Sequence, residues 1–112
     1  MDNKKDDQYY LGKLVTDLAF ILEHTEGLTQ SEFEDNEILI DSVMFRLIQV
    51  SENSDKLTDK FKAQHSIVPW RAMKGMRNRI VHEYGNVDLA VVYDTVKIDI
   101  PELLYMLKKI VV

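Results

Sequence analysis

Apolar residues recur at intervals of three and four along nearly the whole chain, and only four glycines and two prolines interrupt the pattern. An α-helix turns once in about 3.6 residues, so this spacing gathers the apolar side chains on one face and leaves the other to solvent. Tyr10, Leu11, Leu14, Val15, Leu18, Ile21 and Leu22 make the first such stripe, which Gly27 should close. Ser31-Glu32-Phe33-Glu34 has the form of a capping box, with a hydroxyl for an orphan backbone N–H and a Glu three residues on. It predicts a second helix with a buried stripe of Ile40, Val43, Met44, Leu47 and Ile48. The pattern weakens through Val50, Leu57 and Phe61, and a kink is expected between Ser51 and Asp55.

Proline is favoured in the first helical turn because its missing N–H would have no partner there, so Pro69 predicts a third helix from near Trp70. That helix should turn by Gly85-Asn86, a pair that tolerates positive φ. Asp88 is suited to cap a further segment through Leu89, Val92 and Val96, and Pro101 should bend or restart the chain. Leu103, Leu104, Leu107, Ile110 and Val111 complete a last amphipathic helix. Short connections favour antiparallel neighbours. The expectation is an all-α, up-and-down bundle of four to five helices, a single domain over residues 1–112 with the first seven disordered.

The formal net charge of −5 excludes broad electrostatic attraction to nucleic acid, which needs a basic face. A local patch remains, because Arg71, Lys74, Arg77 and Arg79 fall within nine residues that contain no acid. The chain has no cysteine, which rules out disulfides, thiolate catalysis and cysteine-based zinc sites. The polar opening Met1-Asp2-Asn3-Lys4-Lys5-Asp6-Asp7 lacks the apolar core of a signal peptide, and no apolar run approaches the ~20 residues needed to span a bilayer. A soluble cytoplasmic protein without membrane contact is expected. No His-Glu-x-x-His or paired-carboxylate spacing suggests a metal, and no cofactor is implied.

Only the stretch from Trp70 to Tyr84 concentrates groups suited to proton or phosphate chemistry. At about 100° per residue, Arg71, Lys74, Arg77, Asn78 and His82 share an arc of roughly 140°, with Asn78 and His82 stacked at i, i+4. Imidazole titrates near neutrality and can move protons, while guanidinium grips phosphate oxygens in a fixed fork. RNA cleavage requires no metal when the 2′-hydroxyl attacks the adjacent phosphorus. It does require a base, an acid and a cation for the charge that builds on the phosphoryl oxygens. One His82 supplies one proton-transfer group, and a two-fold dimer packing this face on itself would supply the second.

Arg77-Asn78-Arg79-Ile80-Val81-His82 resembles the Arg-x-x-x-x-His signature of HEPN domains, with Asn directly after the Arg, and Tyr84 extends it to the Arg-x-x-x-x-His-x-Tyr form of HepT-like toxins. Pro69-Trp70-Arg71, Gly75-Met76-Arg77-Asn78-Arg79, Val87-Asp88-Leu89 and Asp94-Thr95-Val96-Lys97-x-Asp99-x-Pro101-Glu102-Leu103 are similar to the same family. The resemblance implies a homodimeric, metal-independent RNase toxin paired with a minimal nucleotidyltransferase antitoxin that attaches AMP to the motif tyrosine. Carried over, Arg77 would hold the scissile phosphate, His82 would transfer protons, Asn78 would assist and Tyr84 would be the AMP acceptor. Glu52 also matches the family pattern, although Ser51, Asn53 and Ser54 around it are more polar than usual. Pairing of Glu52 with Arg77 or Arg79 would support the site, and Arg71, Lys74 and Arg79 would contact RNA.

Without the resemblance, Arg77 and His82 read as a solvated helix end favoured by the helix dipole, and Tyr84 as a half-buried tyrosine closing it. Trp70 reads as a core or dimer anchor, and Arg71 and Lys74 as solvated cations. The alternative function is a non-catalytic helical adaptor that binds a nucleotidyltransferase and a nucleotide.

Overall fold

The computed structural model describes residues 5–80 and 86–111, and all the regular elements among them are helical. The chain forms α1 (Asp7–Thr25), α2 (Gln30–Glu34), α3 (Glu37–Asp55), α4 (Asp59–Gln64), α5 (Trp70–Lys74), α6 (Met76–Ile80), α7 (Leu89–Asp94), a π-helical turn (Thr95–Asp99) and α8 (Ile100–Ile110). Four long units make the bundle: α1, α3, the α5–α6 pair, and the run from α7 through the π turn into α8. Helix α1 lies between α3 and α8, and α3 carries α5 and α6 on its flank.

The expected stripes are the core. Leu11, Leu14, Leu18 and Ile21 of α1 are fully buried against Val43, Leu47 and Val50 of α3 and Ile100, Leu103, Leu104 and Leu107 of α8. Between α1 and α3, the nearly buried Asp17 takes a 2.7 Å bond from Arg46, whose guanidinium lies 4.0 Å from the Phe20 ring centroid. Gly27 adopts φ +77 just beyond α1 and ends it as its position suggested.

Several boundaries differ from expectation. Helix α1 begins at Asp7, inside the segment expected to be disordered. Asp6 caps it, and the Asp7 carboxylate accepts bonds from the Thr58 amide and hydroxyl at 2.8 and 2.7 Å. The capping box is Thr29 with Glu32, not Ser31 with Glu34. Thr29 has the extended backbone of a cap, its hydroxyl accepts from the Glu32 amide, and Glu32 accepts from the Thr29 amide. Those bonds hold the fully exposed Glu32 carboxyl below its usual pKa, the backbone donor contributing most.

Helix α3 runs unbroken to Asp55, through the stretch expected to kink. Ser54 donates to the Ser51 carbonyl at 2.8 Å and Ser51 donates to the Lys74 carbonyl at 2.5 Å. The break falls later, at Lys56–Thr58, where Thr58 caps α4. Asp88 caps α7 as expected, accepting from the amides of Ala90 and Val91. Pro101 stands where the chain restarts as the final helix, as expected. A proline ring clashes with the carbonyl four residues back. Here the π turn carries the chain past that point, with the Ile100 amide reaching Thr95, and Pro101 sits in the first turn of α8.

Candidate active site

Helices α5 and α6 present the cationic stretch, and burial fixes which way they face. Met73, Met76 and Ile80 are at most 1% exposed and seat the pair in the core. Arg71 before them and Lys74, Arg77, Asn78 and Arg79 between them are exposed. Both ends of the pair are fastened. At the start, the Trp70 indole N–H reaches the carbonyls of His65 (3.0 Å) and Lys62 (3.2 Å), and its ring lies beside Phe61. Trp70 is thus an intramolecular anchor. In the middle, Ser51 of α3 satisfies the last carbonyl of α5. At the far end, the Asp88 amide donates to the Ile80 carbonyl at 3.5 Å.

The cations on this surface are not equivalent. Lys74 Nζ is 3.1 Å from Asp55 of α3, and Arg79 Nη2 is 3.0 Å from Asp99 of the π turn. Among the described residues the side chains of Arg71, Arg77 and Asn78 take no ion pair or hydrogen bond. Glu52 is exposed and joins neither Arg77 nor Arg79. Asp99 holds Arg79 instead, and no sequence signal links the two because they lie twenty positions apart. The neighbours of Glu52 that looked unusually polar are buried: Ser51, Asn53 and Ser54 are at most 6% exposed and pack α3 toward α5.

His82 and Tyr84 lie outside the described residues, as does the expected turn at Gly85. The structure brings Arg77 and Asn78 onto one exposed surface with Arg71 and Lys74. Arg79 lies toward a separate groove between α5–α6 and α8, walled by Met73, Met76, Leu103 and Met106. Among the described residues no cluster of three His, Asp or Glu is placed to hold a metal, and no helix is long and apolar enough to cross a membrane. The surface can therefore offer anion-binding guanidinium groups and an amide, aimed outward from a rigid support.

Residues 14–110 match the model of a family described as "Ribonuclease HepT-like". Over 106 residues the chain is 29% identical to "Putative RNase TTE0752" of Caldanaerobacter subterraneus subsp. tengcongensis, covering 95% of each protein. Over 100 residues it is 32% identical to "Probable ribonuclease HepT" of Thermococcus cleftensis, covering 89% of this chain and 91% of that protein. No solved structure matches the chain.

Proposed function

The chain belongs to the HepT-like ribonuclease family, and from that premise we propose that it is a metal-independent endoribonuclease acting at Arg77, Asn78 and His82. The observation that carries this reading is the pair Arg77 and Asn78, held exposed on α6 by the buried Met76 and Ile80 and without a side-chain partner among the described residues, five and four positions before His82.

In the proposed reaction a base takes the proton of the 2′-hydroxyl and the O2′–P bond forms. The P–O5′ bond breaks as an acid protonates the departing 5′-oxygen, leaving a 2′,3′-cyclic phosphate. Arg77 neutralises the phosphoryl oxygens, Asn78 orients them, and His82 moves a proton. Base and acid act in the same step, so two His82 side chains from two copies of the chain complete the centre. Exposed guanidinium groups with no partner among the described residues suit an assembly in which their partners arrive with the RNA and the second copy.

The same reading makes the protein the cytoplasmic toxin of a two-gene pair whose partner is a minimal nucleotidyltransferase. AMP placed on Tyr84 would bring an anion two residues from His82 and occupy the cations that RNA needs. The test is incubation of purified protein with RNA in excess chelator. Wild type should cleave, and Arg77→Ala and His82→Ala should each lose on the order of 10²-fold or more in rate. Equal, undamaged RNA with all three, together with harmless expression in cells, would leave the non-catalytic adaptor as the better account. Mass spectrometry after co-expression with the nucleotidyltransferase should find AMP on Tyr84, and an unmodified tyrosine removes the switch.

A further inference from the structure

Four cations stand between Arg71 and Arg79, and the fold treats them in two ways. Lys74 and Arg79 each face a carboxylate delivered by another element, Asp55 from the end of α3 and Asp99 from the π turn. Arg71 and Arg77 face none among the described residues. A carboxylate about 3 Å from a cation cancels most of its field a few ångströms further out. A cation so paired has little condensing effect on a phosphate backbone, and its contact with RNA releases few counterions. A run of four positive charges in the sequence therefore presents two.

We infer that Asp55 and Asp99 limit how strongly the stretch from Arg71 to Arg79 holds RNA, leaving Arg71 and Arg77 as the phosphate contacts of each chain. The inference rests on the ribonuclease reading and concerns how that site engages its substrate. Both carboxylates reach the stretch from outside it: Asp55 lies four residues beyond Ser51, which ties α3 to the Lys74 carbonyl, and Asp99 closes the π turn. The element junctions that fasten α5 and α6 thus also place the counter-charges. Weak backbone binding leaves selection of the cut site to groups near the scissile bond and lets cleaved fragments depart.

Both ion pairs are about half exposed, so removing the acids spares the core. The test is fluorescence anisotropy with a labelled, fully 2′-O-methylated oligoribonucleotide, which binds without being cut. Wild type, Asp55→Asn, Asp99→Asn and the double variant are titrated across a range of NaCl concentrations, at a pH where the imidazoles are neutral. A single-stranded site loses about 0.7 in the slope of log K against log salt for each phosphate contact. Each single variant should therefore steepen the slope by about 0.7 per chain and the double variant by about 1.4. Lys74→Gln added to Asp55→Asn should restore the wild-type slope, and Arg71→Gln alone should flatten it by about 0.7. Slopes unchanged in both Asp variants overturn the inference while RNA binding and the cleavage reading stand. If wild type fails to bind this RNA at the lowest salt, both fall.

Discussion

Ser51 shows how one hydroxyl can serve a site it does not belong to. It is 6% exposed, it lies in α3, and its 2.5 Å bond to the Lys74 carbonyl caps α5 immediately before the helical turn that carries Arg77. Replacing it with alanine leaves that acceptor without its donor. Ser51→Ala should lower stability by about 1 kcal/mol in urea denaturation, and an unchanged midpoint would show that water takes over the bond. Residue roles were legible in the sequence where they depend on neighbours along one helix, as with the burial of Leu11, Leu14, Leu18 and Ile21 along α1. Partnerships across elements were not. Spacing set Arg79 apart from the arc that holds Arg77 but did not reveal Asp99 as its partner, and Glu52 attracted attention that belonged to the buried serines beside it.

At the scale of elements, the short α2 depends on its cap, since five residues cannot sustain a helix alone. Thr29→Ala should cost about 1 kcal/mol, measured by thermal or urea unfolding. The box also gives a pH dependence. Because Glu32 is held below the usual carboxylate range in the folded chain, its contribution is fully present above the unfolded pKa of about 4.3. It is lost as pH falls from there through the lower folded value. The acid sensitivity of unfolding below about pH 4 should therefore be smaller in Glu32→Gln than in wild type, and identical acid profiles would count against the cap. Elements announced by a single local signal, such as Gly27 or Asp88, were legible. The box was misplaced by two residues because Thr29 and Ser31 both precede a Glu by three. The course of α3 and the π turn before Pro101 depended on acceptors and registers that no local pattern records.

For the whole molecule, the arrangement of α1, α3 and α8 follows from apolar stripes that were visible at once, and these set the support on which α5 and α6 rest. The stripes do not reveal how copies of the chain meet. If two chains complete one cleavage centre, specific activity should fall on dilution in step with dimer dissociation measured by sedimentation. Activity that persists in the monomer would assign both proton transfers to a single chain. The molecule also carries its own optical probe. Its one tryptophan is Trp70, half-buried and bonded through its indole N–H to the carbonyls that end α4. Intrinsic fluorescence excited at the indole therefore reports a single place, the junction one residue from Arg71. A change in emission on adding RNA would register events at the root of the cationic surface without any label attached to the protein.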